Sequence, residues 1–236
     1  MTDVSSQKER IPLTRIQKLI NRRMIESKRT KPCFYIESES DVTELLGRRH
    51  ELKKSLGIRI TSNAFLIRAM ALAAKKHPLV LGTLQGTLED DKVTIKIPDQ
   101  INVGFAVNAP QGLVVPVIRQ ADEKSLAEIA RLEKHLIDKS RSNKLVLEDI
   151  EGETIALSNL GAYGVDSFVA VVPPQTSVVL SVGNVIKSIK MCDGKPTPRK
   201  MMSLTIAADA KIVNGSYAAR FLADLVEFLQ KPEQLI

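Results

Sequence analysis

The sequence predicts an α/β layered domain. Strand-like stretches alternate with single helix-like stretches, the pattern of folds in which helices cover a sheet. One stretch, Gln175 to Val182 (QTSVVLSV), is a continuous β-branched run of the kind buried on both faces of a sheet. The length, 236 residues with 44% apolar residues, suffices to bury a substantial core as one domain.

The elements follow in order. Residues 1–10 are polar and are expected to form a flexible leader. Ile11-Pro12-Leu13-Thr14 leads into a helix: Thr14 suits the N-cap with Gln17 three residues on. Ile16, Leu19, Ile20 and Met24 recur at helical spacing, and Lys31-Pro32 ends the helix. Cys33 to Ser40 alternates like a strand. Asp41 is expected to cap a second helix carrying Val42, Leu45 and Leu46, which Gly57 stops. Ser62 to Lys76 is apolar on most sides and ends at His77-Pro78, so it reads as a buried helix. Lys92 to Ile97 alternates. Gln100 to Asn108 and Leu113 to Ile118 flank Ala109-Pro110-Gln111-Gly112, a hairpin turn by composition. Ser125 with Glu128 forms a capping box for a helix running to about Lys139. Glu153 to Asn159, Gln175 to Val182 and Met201 to Ala207 read as strands, with Val182-Gly183-Asn184 and Asp193-Gly194 as turn signals. The last helix starts near Asn214 and places Ala218, Phe221, Leu222, Leu225 and Leu229 on one face.

Charge and composition narrow the function. Nine Lys or Arg against Asp3, Glu9 and Glu26 give Met1 to Lys31 a net charge of +6 out of +7 for the chain. Such a segment suits nucleic acid, an acidic partner, the phosphates of a nucleotide cofactor, or simply a solvated helix face. Few aromatic residues interleave with the charges, so base stacking is absent and nucleic acid is set aside. No apolar run approaches the ~20 residues of a membrane span, and Met1-Thr2-Asp3 opens no signal peptide; a cytoplasmic protein is expected, or a matrix protein in a eukaryote. Cys33 and Cys192 lie far apart, giving neither a disulfide framework nor a metal-ligand cluster. There is no P-loop, no dinucleotide fingerprint and no Gly-x-Ser-x-Gly elbow.

Several blocks, in order, resemble one family. Ser203 to Leu225 (SLTIAADAKIVNGSYAARFLADL) is similar to the signature of the dihydrolipoamide acyltransferases, the core subunits of the 2-oxo-acid dehydrogenase complexes. The family pattern is Asp-His-Arg, two apolar residues, Asp or Asn, then Gly. Asp209, Ile212, Val213, Asn214 and Gly215 match; Lys211 replaces the Arg, and Ala210 stands at the His position. Ile11 to Val42 resembles the family's opening helix and strand, Ile101 to Ile118 its Gly-Leu-x-x-Pro region, Ile155 to Gly161 (IALSNLG) its oxyanion segment, and Pro173-Pro174-Gln175 its Pro-Pro-Gln turn.

The resemblance implies a chloramphenicol-acetyltransferase-like fold, a mixed sheet flanked by helices, over residues 11–236. It implies acyl transfer between dihydrolipoamide and coenzyme A, the lipoyl group being supplied by a separate domain, and no metal. It also implies a homotrimer built into a larger cage with neighbouring chains completing each site, and partner subunits of the dehydrogenase complex. Ser158 is carried over as oxyanion donor; on the residues alone, Ser158-Asn159 ends a strand before a turn. Asn214 supports the site and, with Gly215, suits a helix start. Asp209 is expected either in an ion pair holding the strand end or solvated. Ala210 leaves the general-base position without an imidazole, and a positioned base contributes about 10²–10⁴-fold. His50, His77 and His135 lack the family's surroundings and read as surface or helix-end residues. Lys211 is expected on the opposite side of an extended strand. The activity implied by the family is therefore expected to be strongly reduced, and a natural non-catalytic core subunit is the alternative.

Overall fold

The computed structural model describes residues 12–13, 15–87, 91–110 and 112–236. Thr14, Gln111 and the leader, for which expectations are stated above, lie outside those residues.

Helix α1 (Arg15–Thr30) is followed by strand β1 (Cys33–Asp41), then helices α2 (Thr43–Leu56) and α3 (Ser62–Lys76). Short strands β2 (Thr83–Gln85), β3 (Thr94–Lys96), β4 (Val103–Phe105), β5 (Val107–Ala109), β6 (Gly112–Val114) and β7 (Val117–Ile118) lead to helix α4 (Leu126–Arg141). Strand β8 (Ile155–Asn159), the long strands β9 (Val178–Cys192) and β10 (Lys195–Asp209), and helix α5 (Gly215–Gln230) complete the order. Six strands form one mixed sheet in the order β1-β10-β9-β8-β4-β7, in which β4–β8 and β8–β9 are parallel and the other pairs antiparallel.

One face of the sheet carries the main core. Helices α3 and α5 press onto it with the stripes expected from their sequences: Phe65, Ile67 and Met70 from α3, and Ala218, Phe221, Leu225 and Leu229 from α5, are fully buried. The helix starts are sequence-coded. Thr61 Oγ1 accepts from Ala64 N at 3.0 Å, Ser125 and Glu128 form the capping box, and Asn214 Oδ1 accepts from Tyr217 N at 2.9 Å. Gly57 stops α2 in the left-handed conformation, with φ of 65°. Among the described residues the second face holds a small apolar cluster, Ala156, Val172, Val179 and Ala207, with Cys33 and Ala170 packed against it, and Ser27 of α1 donates to Val172 O.

Four local expectations are corrected. Asp41 is not the N-cap of α2; that position is Val42, and Asp41 Oδ1 accepts instead from the amide and hydroxyl of Thr43 at 2.9 and 2.6 Å. The hairpin around Ala109–Gly112 forms, but its inner halves make a separate two-stranded ribbon (β5, β6) while the outer halves join the main sheet as β4 and β7. The run read as Gln175 to Val182 starts at Val178 and continues to Cys192, turning at Asp193-Gly194 into an equally long β10. Gly183 therefore sits inside a strand and not in a turn. Its glycine is required by close packing, since a Cβ there would lie 1.8 Å from the carbonyl oxygen of Asp166.

Candidate active site

Position 210 lies where β10 hands over to α5. Asp209 ends the strand, opposite Cys33 of β1, and its amide donates to Ser177 O at 2.9 Å. The chain then turns sharply: Ile212 N and Val213 N both reach Asp209 O at 3.0 Å. Ala210 N donates to Pro32 O at 3.0 Å, and the Ala210 methyl is exposed. Lys211 is consequently in a turn and not on an extended strand. Its amide donates to Asp209 Oδ1 at 3.1 Å, and its ammonium donates to Thr30 O at 2.6 Å and stands 3.7 Å from Asp209 Oδ2. Asp209 is 2% exposed, so its carboxylate is a buried anchor for the turn. Asn214 serves as N-cap and also accepts from Ser216 Oγ at 2.9 Å; Gly215 opens the helix with open space around its Cα.

A cation that no sequence pattern announced completes this end of the sheet. The Lys31 ammonium donates to the carbonyl oxygens of Pro173 and Pro174, at 2.8 and 2.9 Å, and to that of Thr176. Burial holds its pKa below the ordinary lysine value, with Asp209 acting in the opposite direction. Burial, then the Asp209 charge, push the Cys33 thiol up, which keeps it a poor nucleophile. In the sequence Lys31-Pro32 carries only the signal of a helix end.

Ser158 stands elsewhere on the same, second face. It lies opposite Ser181 of β9, and Thr205 of β10 and Glu37 of β1 continue the row across the sheet. Ser158 is half-buried, Ser181 and Thr205 are buried, and Ser181 Oγ accepts from Ala170 N at 2.9 Å. From this row to position 210 is five residues along β10 and two strand spacings sideways, so Ser158 and Ala210 are about 19 Å apart within one chain. The structure thus brings Asp209, Ala210, Asn214 and Gly215 together and leaves Ser158 apart.

None of the three histidines lies near position 210. His77 ends α3, where Nε2 lies 2.8 Å from Asp224 Oδ2 and the ring meets the edges of Tyr217 and Phe221. His50 and His135 sit on the outer parts of α2 and α4. Among the described residues, no group of three or more His, Cys, Asp or Glu could hold a metal ion. A cleft of about 560 Å³ lies between α1, the β2–β3 ribbon and the 150–154 turn. Arg23, Lys96, Glu153 and Gln175 contribute to its lining, and neither Ser158 nor Ala210 does. Burial raises the Glu153 carboxyl above its usual range.

The fold, a mixed sheet flanked by helices, is that of chloramphenicol acetyltransferase, which superposes with a TM-score of 0.51 over 88% of this chain and 94% of its own at 15% identity, a likeness of fold alone. Residues 5–236 match the model of the 2-oxoacid dehydrogenases acyltransferase (catalytic domain), and the chain belongs to that family. The acetyltransferase component of the pyruvate dehydrogenase complex of Rickettsia bellii is 34% identical over 229 residues, which is 95% of this chain and 53% of that protein. The mouse mitochondrial pyruvate dehydrogenase protein X component is 34% identical over 95% of this chain and 44% of its own length. The chain spans about half the length of these curated relatives. The dihydrolipoamide acetyltransferase of Azotobacter vinelandii superposes with a TM-score of 0.90 at 29% identity, covering 100% of this chain and 98% of its own. That structure was determined to define the roles of one serine, one histidine and one asparagine in its catalytic mechanism.

Proposed function

We propose that this chain is the acyltransferase core of a 2-oxo-acid dehydrogenase complex whose general base is missing at Ala210. The observation that carries this reading is spacing. The serine, histidine and asparagine of the Azotobacter enzyme are separated by 52 and by 4 residues. Ser158, Ala210 and Asn214 have the same separations. The family chemistry is attack of a thiol, of dihydrolipoamide or of coenzyme A, on a thioester carbonyl. Ser158 donates its hydroxyl to the tetrahedral oxyanion. Asn214 and the buried Asp209 hold the turn on which the base would be presented. A methyl group at 210 accepts no proton, so only the small fraction of thiol already ionised at neutral pH reacts.

The ~19 Å between Ser158 and position 210 supports sites shared between neighbouring chains, in a homotrimer or a cage built from trimers. The lipoyl group arrives on a separate domain, coenzyme A is the second substrate, and no metal takes part. The other subunits of the complex are the partners, in the cytoplasm or the mitochondrial matrix. No helix among the described residues is long and apolar enough to cross a membrane.

A second reading, a non-catalytic structural subunit of such a core, is favoured by Ala210 itself and by the similarity to a complex component, protein X, that is not named as a transferase. The experiment separating the two measures acyl transfer from acyl-coenzyme A to dihydrolipoamide, for the chain and for Ala210→His at equal oligomeric state. A gain of about two or more orders of magnitude, the scale of a general base, supports a silenced enzyme. Two equally inert proteins favour the structural subunit.

A further inference from the structure

Helix α4 turns an apolar face to the core through Ile129, Ala130 and Leu136, yet Glu133 sits on that face and is 1% exposed. Burial pushes its carboxyl above the usual glutamate range. Hydrogen bonds from the Thr61 hydroxyl, at 2.5 Å, and from the Asn63 side chain oppose that shift, as do the charges of Arg49 and Arg59. Both hydrogen-bond donors belong to the start of α3, so one carboxylate joins two helices.

The link continues beyond Asn63. Asn63, whose side chain also faces Glu133, presents Oδ1 to Asn159, whose Nδ2 donates at 2.8 Å. Asn159 in turn presents its own Oδ1 to Gly161 N at 2.9 Å. Each amide is thereby oriented by the one before it: reversing Asn63 would set two donors against each other at Asn159. The chain of contacts ends in the turn that immediately follows Ser158.

We propose that Glu133 is a positioning residue for the Ser158–Gly161 segment, acting through the oriented chain Asn63–Asn159–Gly161. The proposal rests on the reading of Ser158 as oxyanion donor, and it deepens that reading: the serine is held by a carboxylate on a helix that contributes nothing else to the site. An acid in this place has a reason that packing does not supply. A leucine at 133 would fill the α4 face without a desolvation cost, but would leave Asn63 free to turn over.

The test is hydrogen exchange, followed by mass spectrometry, on the full chain and on Glu133→Leu, Asn63→Ala and the double variant. Each single variant is expected to speed exchange in residues 159–165 about tenfold, with residues 126–141 of α4 unchanged. The double variant is expected to go no further than either single, as for members of one coupled chain. Unchanged exchange at 159–165, additive effects, or an equal rise throughout α4 overturns the proposal; the last would mean general loosening. Should Glu133→Leu fail to fold, Asn63→Ala carries the same expectation. In the Ala210→His background, Glu133→Leu is expected to lower kcat with KM little changed, and Glu133→Gln, which keeps an acceptor oxygen, to recover most of the loss. The exchange measurement makes no use of acyl transfer. An inert Ala210→His protein therefore counts against the transfer reading alone, and an intact exchange pattern against the positioning role alone.

Discussion

Gly161 and Gly183 meet backbone to backbone: a Cβ on Gly161 would lie 2.4 Å from the carbonyl oxygen of Gly183. Gly183 is itself pressed against Asp166, so the turn after Ser158 and the middle of β9 are locked by two residues that tolerate no side chain. Gly183→Ala is expected to destabilise the protein by about 3 kcal/mol or more, since the obstructing atoms are backbone and cannot swing aside. Gly47→Ala in the middle of α2, with nothing within 4 Å of the added methyl, is expected to stabilise by roughly 0.5–1 kcal/mol. Urea unfolding midpoints of the two variants check both signs at once.

Lys31→Met removes the donor shared by Pro173, Pro174 and Thr176. Leaving half-buried acceptors unpaired is expected to cost about 1 kcal/mol, the low end for buried groups. The loss should be local, with α1 and the 173–176 segment exchanging amide hydrogens faster while α3 and α5 stay protected.

Glu133 makes stability depend on pH. Its folded pKa is raised, so its favourable contribution is complete below the unfolded value of 4.5 and is lost as pH rises through the folded value. The groups facing it are Arg49 of α2, Arg59 of the α2–α3 connection, Thr61 and Asn63. Relative to Glu133→Gln, the parent chain is expected to lose stability as pH rises above 4.5 and through the raised folded value. Thermal unfolding of both proteins across that range shows the difference, and parallel curves would refute it.

Ser158→Ala tests the oxyanion role where a base is present. In the Ala210→His background it is expected to lower kcat by about 10²–10³, the effect of losing one donor from such a hole. Asn214→Ala removes the cap of α5 and should cost about 1 kcal/mol of stability; Asn214→Asp, which keeps an acceptor, should cost little by the same denaturation assay.

The regular elements were legible because their signals are local. The α5 stripe, the Ser125–Glu128 box, the buried breadth of α3 and the Gly57 stop all lie within a few residues of what they determine. The turn from Asp209 to Asn214 was legible as a motif for the same reason. What escaped reading depends on partners far along the chain. Gly183 looked like a turn because nothing in its neighbourhood announces the backbone of Asp166 above it. Lys31 meets carbonyls more than 140 residues away, and carbonyls leave no mark in a sequence. The outer half of the β9–β10 hairpin was missed because its lysines and prolines mimic a loop, whereas they belong to a ribbon with little to bury. Glu133 had a readable signal, an acid on the apolar stripe of α4 between Ile129 and Leu136, but its partner Asn63 could be found only in three dimensions.

If Ser158 and position 210 serve one site shared between neighbouring chains, as proposed above, their separation sets how this chain would behave in company. In a ring whose sites each take one residue from each of two neighbours, every base-bearing chain still finds a serine next door when some neighbours are chains of this kind. Activity in mixed rings would then fall in simple proportion to the dilution of base-bearing subunits, not with its square. A chain silent by itself would be a harmless lodger in an active core, lending its serine to the subunit beside it.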